Sequence, residues 1–307
     1  MIPQTIRSLI ILLPFLITAI VQAQQEPQYT QYNINTMTVN PGYTGSRGHL
    51  SIISLYRSQW VGIEGSPRTI TFGIETPVGI FNGMGLSILH DELGPAQETY
   101  IDGNYAHNLI LNRKGDRLAL GMKVGIKFLS LDWSKGRYRD PEAAFNENIN
   151  SKVLPTIGTG LFYYTNTFYL GASTPNIMPG KHYDDIAESK ASDRTHLYFI
   201  GGYVIDLNPD LKFKPSFFVK NVIGGTMSID LSLNFLVYET LNLGVNYRRE
   251  DSLSGLFGFQ INPKIDLGYA YDYSINDLNN YNQGTHEIFF RYQLISKDKK
   301  LKSPRFF

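Results

Sequence analysis

Cysteine is absent from this sequence of 307 residues, and charge is scarce in it. Without cysteine the chain has neither a disulfide framework nor a cysteine for lipid attachment. Charged residues make up 18% of the chain, whereas ordinary soluble domains hold about 25%. The formal net charge of +1 gives no reason to expect a nucleic acid as a partner.

Motifs of the common enzyme classes are also missing. The sequence contains no G-x-S-x-G nucleophile turn, no H-E-x-x-H zinc motif and no phosphate-binding P-loop. Residues 90–92 (HDE) and 182–188 (HYDDIAE) combine histidine with acidic side chains, but a metal site needs several ligands that converge at a fixed spacing. Both stretches fall at strand ends or in loops, where polar residues are ordinary. We therefore expect no enzymatic activity and no metal or other cofactor.

Long apolar runs are missing as well, and the one pronounced apolar stretch is short. It covers residues 9–20, follows Arg7 and is interrupted by Pro14. A helix needs about 20 apolar residues to span a bilayer, so this stretch predicts a secretory signal peptide over residues 1–23, cleaved after Ala23. No later stretch is long and apolar enough to span as a helix. We expect an exported chain without a transmembrane helix.

Alternation of apolar and polar residues is what the sequence has in abundance, most clearly between Met227 and Leu294. In residues 227–235 every second side chain is apolar, and residues 117–131 repeat the pattern over a longer stretch. A period of two places successive side chains on opposite faces of a β-strand. About fourteen such segments, separated by turn residues, predict consecutive antiparallel hairpins.

Two architectures share this pattern. In a soluble sandwich the apolar face points inward, and in an outer-membrane barrel it faces lipid while the polar face lines the lumen. The connections distinguish the two: those after odd-numbered segments include the longest (132–153, 175–193 and 274–283), whereas those after even-numbered segments are turns. Outer-membrane barrels have short periplasmic turns and long external loops. We therefore predict an all-β, transmembrane, antiparallel up-and-down barrel of about fourteen strands over residues 48–295.

The segments that flank the predicted barrel are polar. Residues 24–47 are rich in Asn and aromatic residues, with a turn at Asn40-Pro41-Gly42, and would either plug the lumen or lie in the periplasm. Residues 296–307 form a basic tail that ends in Phe306 and Phe307. An even strand number makes this tail periplasmic. It is either a solvated end or, through the two phenylalanines, a contact for a partner or for assembly machinery.

Charged side chains on the polar faces are the main candidates for a functional lining of the lumen. On the lipid side each would cost about 2–4 kcal/mol near the membrane midplane, so we expect them to point inward. There they either neutralise one another in ladders or line a gated passage or docking lumen. The lumen-lining candidates are Lys123, Lys127, Asp230, Arg248, Asp266, Asp272, Glu287 and Arg291, together with Glu75 and Asp102. Trp60 is expected in an interfacial aromatic girdle, or as an exposed anchor for a partner.

Several stretches, in order and almost end to end along the chain, carry a family resemblance. They are QYNINTMTVNPGYTGS (31–46), LYRSQWVGIEGSPRTITFGIETP (55–77), NGMGLSILHDELGPAQET (82–99), NINSKVLPTIGTGLFYYTNTFYLGASTP (148–175), GYVIDLNPDLKFKPSFFVK (202–220), GFQINPKIDLGYAYDY (258–273), YNQGTHEIFFRY (281–292) and SPRFF (303–307). Because these stretches occur together and in this order, the chain resembles the PorP/SprF family of type IX secretion system outer-membrane proteins.

This resemblance implies an outer-membrane protein whose partners are type IX secretion components and a large secreted surface protein. Family members are often associated with export or surface attachment of large adhesins, such as those used in gliding. Support of such cargo is the favoured function, with partners at the three long loops or at the periplasmic end. The alternatives are an outer-membrane pore or transporter for small or hydrophobic compounds, and a purely structural barrel in the envelope.

Overall fold

The computed structural model describes residues 30–135, 148–178 and 194–295. The helices in these ranges are short: α1 (Thr36–Val39) and 3₁₀ turns at Pro41–Tyr43, Trp133–Lys135 and Asp277–Asn280. Nowhere in the described ranges is there a helix with the length and apolar character needed to span a bilayer. The strands are β1 (Leu50–Ser58), β2 (Arg68–Val78), β3 (Asn82–Leu93), β4 (Ala96–Ile110), β5 (Arg117–Leu131), β6 (Ile149–Tyr164), β7 (Phe168–Thr174), β8 (His196–Tyr203), β9 (Ile205–Asn208), β10 (Leu211–Val222), β11 (Met227–Val237), β12 (Leu241–Arg248), β13 (Ser252–Asn262), β14 (Ile265–Ser274) and β15 (Thr285–Leu294).

The strands close into one antiparallel barrel. Sequence neighbours pair around the ring, and the first and last strands complete it, from Leu50 opposite Leu294 to Ser58 opposite His286. β8 and β9 both pair with β10, on either side of Val204, so they form one interrupted strand of the wall. The described residues therefore form a closed barrel of 14 strands, which confirms the predicted fold class.

The two ends of the barrel differ, and we call them the loop end and the turn end. With β8 and β9 counted as one strand of the wall, the short connections after every second strand lie at the turn end. Examples are residues 79–81, 165–167 and 263–264. The loop end carries longer ones, including residues 59–67 and 275–284. Because short turns face the periplasm in outer-membrane barrels, we expect the loop end to be external.

The wall extends further at the loop end than the sequence predicts. From its polar sequence alone, the stretch 91–97 is predicted to be a loop between two strands. In the structure its residues belong mostly to β3 and β4, which pair up to Leu93 opposite Ala96. β6 likewise begins at Ile149, within the predicted loop 132–153. Both loop predictions are wrong at these positions. Strand residues at the rim can be polar on both faces, so they lack the apolar–polar alternation by which a strand is recognised.

Side-chain directions follow from the period of two. On β5 the side chains of Leu120, Met122 and Val124 are exposed on the outside, while Lys123 and Lys127 are buried inside. The outer wall is apolar along the other strands as well, as lipid requires. Apolar residues also face inward, among them Ile53 and Leu55 of β1, which are buried. They pack in a core with residues from the N-terminal part of the chain, so that part lies within the barrel.

Candidate functional site: the barrel interior

The barrel interior is occupied by residues 30–47, which we call the inner segment. Every residue of this segment is buried except Asn33, which is half-buried. The segment starts near the loop end, where Thr30 contacts Arg57 and Glu287, and reaches the turn end before β1 begins at Leu50. The sequence left open whether these residues lie in the lumen or in the periplasm, and the structure places them in the lumen.

Five residues hold the start of the inner segment, and we call them the loop-end anchor: Thr30, Gln31, Arg57, Asp272 and Glu287. The Arg57 guanidinium lies 2.9 Å from both Asp272 Oδ2 and Glu287 Oε2. Thr30 Oγ1 accepts from Arg57 Nη1 at 2.9 Å and donates to Asp272 Oδ2 at 2.7 Å. The backbone amides of Thr30 and Gln31 donate to the Glu287 carboxylate at 3.0 and 2.8 Å. The carboxylates therefore neutralise a buried arginine and bind the segment at the same time.

A second set of charges holds the other end of the inner segment. Gly45 N donates to Glu75 Oε2 at 2.7 Å, and Arg47 Nε lies 3.4 Å from Glu75 Oε1. Arg47 and Arg291 both donate to the carbonyl oxygen of Ile34, at 3.4 and 3.1 Å. Arg291 also lies 3.6 Å from Asp266 Oδ2. The barrel wall thus binds the backbone of the segment near the turn end as well.

Further charges pair across the wall between these two ends. Arg248 binds Asp230, with Nη2 at 2.7 Å from Oδ2. Lys123 lies 3.4 Å from Asp102 Oδ2 and donates to the Thr38 carbonyl of α1 at 3.0 Å. Lys127 pairs with Glu98 at 2.9 Å. All eight lumen-lining candidates therefore lie inside the barrel. Each is in an ion pair with another charged residue of the wall, and some also bind the inner segment.

Small residues of the wall make room for the turn in the inner segment. Gly83, Gly121 and Gly160, which we call the glycine seat, face this turn. A Cβ at Gly83 would overlap Thr44 O, one at Gly121 would overlap Gly42 N, and one at Gly160 would overlap the Asn40 side chain. Asn40 is fully buried and donates from Nδ2 to Leu161 O at 3.0 Å. The segment and the wall therefore fit in a way that any larger side chain at the seat would prevent.

Aromatic rings fill the interior beside β8 and β10. Tyr32 stacks on Phe218 with ring centroids 4.9 Å apart, and Tyr198 packs against the same ring at 5.3 Å. The Tyr32 hydroxyl is within 3.0 Å of Ser232 Oγ. The inner segment is thus held by apolar packing as well as by charge.

The remaining sequence-predicted candidates lie apart from this interior. Trp60 is half-buried in the connection between β1 and β2 at the loop end, and its backbone amide donates to Thr285 Oγ1 at 3.1 Å. His90 bonds Thr99 at 2.8 Å, and the described residues contain no group of three or more metal-ligating side chains. Phe306, Phe307, residues 1–23 and residues 182–188 lie outside the described residues.

Arg57 and Arg47 are contributors that the sequence analysis did not single out. Arg57 follows two apolar residues, Ile53 and Leu55, on the inner face of β1, so the usual inward polar pattern is broken there. A strand with apolar residues on both faces indicates that something apolar lies inside the barrel, and this signal was present in the sequence. Arg47 lies in a segment without strand pattern, so no periodicity could assign its side chain to a face.

Cavities lie beside the inner segment in the described part of the barrel. A cavity of about 50 Å³ lies against α1, between Lys123, Tyr100 and Tyr198. A larger cavity of about 280 Å³, which we call the turn-end cavity, lies below Arg47 among residues of β10 to β15. The two share no lining residue.

A family model described as "Type IX secretion system membrane protein PorP/SprF" matches residues 21–292, nearly the whole chain. The chain belongs to this family. Membership confirms the resemblance seen in the sequence. With the closed barrel, it makes this PorP/SprF protein an outer-membrane component of the type IX secretion system, with secretion partners. No curated protein matches the chain in sequence.

Solved outer-membrane barrels resemble this PorP/SprF protein at low identity. The toluene transporter TbuX of Ralstonia pickettii is 12% identical, with a TM-score of 0.48 over 85% of this chain and 93% of the transporter. Omp33 of Acinetobacter baumannii is 8% identical, with a TM-score of 0.47 over 80% of this chain and 98% of its own. The CymD monoaromatic hydrocarbon channel is 12% identical, with a TM-score of 0.48 over 86% of this chain and 93% of its own. At these identities the likeness carries no conclusion about ligands or transport.

Proposed function

We propose that this protein is an accessory barrel with a filled lumen, which supports export or surface attachment of a large, adhesin-like surface protein. Family membership over residues 21–292 supports the assignment to the type IX pathway. The cargo class follows the association of the family with large adhesins, including those used in gliding. Its signal peptide, residues 1–23, is removed before the barrel assembles.

The filling of the barrel carries the mechanistic part of this proposal. The inner segment is bound at the loop-end anchor, by Glu75 and Arg291 near the turn end, and at the glycine seat on β3, β5 and β6. Among the described residues, the cavities beside it measure about 50 and 280 Å³ and share no lining residue, which argues against a path for a second polypeptide. The barrel therefore acts through its two ends, as a plugged platform that secretion components and cargo contact.

The loop end offers a described surface for such a contact. The connection 275–284 contains a 3₁₀ turn at Asp277–Asn280 and presents Tyr281 with 73% of its surface exposed. Trp60 lies close by, since Val61 N donates to Gly284 O at 2.9 Å. Tyrosine and tryptophan are enriched in protein interfaces. These residues belong to the proposed cargo-facing surface, together with the predicted loop 175–193 and the part of the predicted loop 132–153 that precedes β6.

Transport of small or hydrophobic compounds is the alternative function. The turn-end cavity, of about 280 Å³, favours a binding site for a small group. It gives no support to a passage, since the inner segment separates it from the cavity at α1. The charges inside the barrel therefore serve to hold this segment in place.

Deletion of the gene, followed by mass spectrometry of surface and medium proteins, tests the proposed function. We expect the loss of one or a few large exported proteins, with the remaining type IX cargo intact and restoration by the wild-type gene. Loss of all type IX cargo would make the protein a core component of the apparatus. An unchanged set of exported proteins would refute the secretion role. Mass spectrometry of the mature protein should find Gln24 at its start.

A further inference from the structure

The turn-end cavity has a composition that points to a ligand. It opens at the turn end, where Glu239 and Thr240 form its rim, and reaches inward to Arg47 and Arg291. Its charged lining consists of Arg47, Lys212, Glu239, Asp266 and Arg291. At about 280 Å³, it is slightly smaller than the roughly 300–1,000 Å³ of typical ligand pockets. It is therefore suited to a side chain or a small molecule rather than to a folded domain.

Two buried arginines meet at the inner wall of this cavity. Arg47 and Arg291, each about 2% exposed, converge on the single carbonyl oxygen of Ile34. Their carboxylate contacts are long, 3.4 Å from Arg47 to Glu75 and 3.6 Å from Arg291 to Asp266. Charge-assisted hydrogen bonds between such groups normally measure about 2.7–2.9 Å. Both guanidinium groups therefore retain capacity to bind a further anion.

A donor on one of these arginines has no partner. Arg291 Nε is buried and makes no hydrogen bond within the described residues. An unsatisfied buried donor costs free energy, and a bound anion would relieve that cost.

The rest of the lining is neutral and suits the body of such a ligand. The Phe289 ring forms an apolar wall, and Asn242, Gln260 and Gln293 contribute amide groups. Asn242 Oδ1 is also buried without a hydrogen-bond partner in the described part of the chain. An unused acceptor beside unused donors fits a ligand that carries an amide hydrogen as well as an anionic group, as an acidic residue of a peptide does.

We propose that the turn-end cavity is a carboxylate-binding site that takes an acidic side chain of a peptide or a small free carboxylate from the periplasmic side. The planar guanidinium groups of Arg47 and Arg291 bind the carboxylate, for which their geometry is suited. The amides of Asn242 and Gln293 contact the remainder of the ligand. This inference goes beyond the proposed secretion role, because its test measures ligand binding to the isolated barrel and does not depend on the export of cargo.

A fluorescent reporter at the rim tests this proposal on the full-length barrel in detergent. Since the chain has no cysteine, Thr240→Cys allows an environment-sensitive dye to be attached at one position. The probes are the peptide acetyl-Gly-Glu-Gly-amide, its glutamine counterpart and citrate. We expect saturable fluorescence changes with the glutamate peptide or with citrate, and none with the glutamine peptide. Binding should weaken as salt is raised.

Two variants separate binding from folding. Arg291→Gln removes a charged donor and should weaken carboxylate binding at least about tenfold. Gly258→Leu leaves both arginines in place but projects a side chain into the cavity, and it should abolish binding. Gly255→Leu, on the lipid-facing side of the same strand, is the matched control and should bind normally.

The results distinguish a peptide ligand from a small carboxylate. Saturation by citrate but not by the peptide would assign the site to small carboxylates, and saturation by the glutamate peptide would assign it to a periplasmic protein segment. Equal binding of the glutamate and glutamine peptides, or no saturation by any carboxylate, would overturn the proposal. Unchanged binding in the Gly258→Leu barrel would also overturn it, because the ligand would then be located elsewhere. A difference in gel migration between unheated and heated samples verifies folding of each variant.

Discussion

Arg57 and Glu287 lie directly opposite each other on β1 and β15, with Arg57 Nη1 at 2.9 Å from Glu287 Oε2. These two strands are the first and the last of the barrel, so the ion pair spans the seam at which the wall closes. Both residues also bind Thr30, the first described residue of the inner segment. Closure of the barrel and seating of the inner segment therefore depend on the same buried side chains.

Loss of the arginine at this seam should destabilise the barrel markedly. Arg57→Gln leaves Asp272 and Glu287 buried side by side without their counter-charge. Removing one partner of a buried ion pair typically costs about 3–5 kcal/mol. The free energy of unfolding, measured by urea titration in detergent, should fall by an amount in this range.

Arg249→Gln is the matched control for this experiment. Arg249 pairs with Glu250 at 3.0 Å, but both side chains are more than half exposed at the loop end. Exposed ion pairs contribute little to stability, so this barrel should unfold like the wild type. Equal stability of Arg57→Gln and Arg249→Gln barrels would show that the loop-end anchor is dispensable.

The glycine seat should be intolerant of any side chain. In Gly121→Ala the new Cβ would overlap the backbone of Pro41 and Gly42, which cannot rotate away as a side chain would. Overpacking of this kind costs about 1–3 kcal/mol, and the inner segment should become sensitive to protease. Gly103→Ala, on the lipid-facing side of β4, has room for its Cβ and should resist protease as the wild type does. Equal protease resistance of the two variants would contradict the fitted packing.

Removal of the inner segment should open the barrel. The wild-type barrel in a planar bilayer is expected to show no sustained conductance, because the segment fills the lumen. Deletion of residues 30–47 exposes the inward-facing charges, among them Lys123 and Asp230, to water and should produce stable ion-conducting channels. Sustained conductance by the wild-type barrel would instead favour the pore function.

The orientation of the barrel is open to a direct labelling test. Glu64→Cys lies in the connection 59–67 at the loop end, and Lys114→Cys lies in the turn 111–116 at the opposite end. Both positions are exposed, and no native cysteine competes for the reagent. A membrane-impermeant maleimide should label Glu64→Cys on intact cells but Lys114→Cys only after permeabilisation. The reverse pattern would invert the assignment of the two ends.

The outer face of the barrel was predictable from sequence, because residues that face lipid must be apolar on every strand. Residues 117–131 show this well: each outward residue must be apolar, so the period of two is unbroken and both ends of β5 agree with the prediction. Rim residues such as Asp91 and Glu98 lie opposite each other in the register of β3 and β4. Residues at the rim do not face lipid, so their outward side chains need not be apolar. Strand ends there could not be recognised from alternation.

The interior was less predictable, because it depends on contacts between residues far apart in sequence. The inward direction of Asp272 and Glu287 follows from alternation, but their shared contact with Thr30 does not. Asn40-Pro41-Gly42 was recognisable as a turn, whereas its close fit against Gly121 required the three-dimensional register of the strands. A buried polar segment has no periodicity of its own, so sequence left its location open.

A reversible lock on the inner segment tests most directly the claim that the barrel supports export with its lumen filled. Asn35 Nδ2 lies 2.9 Å from Thr71 Oγ1 on the wall, so cysteines in the Asn35→Cys, Thr71→Cys double variant lie within reach of a short bifunctional thiosulfonate, and no native cysteine competes for the reagent. The measurement is the amount of large exported surface proteins in cells carrying this barrel, cross-linked or released by a reductant, quantified by mass spectrometry. We predict equal export in both states, matching the wild type. Export that stops on cross-linking and returns on reduction would contradict the account, because the segment would then have to move for the barrel to function.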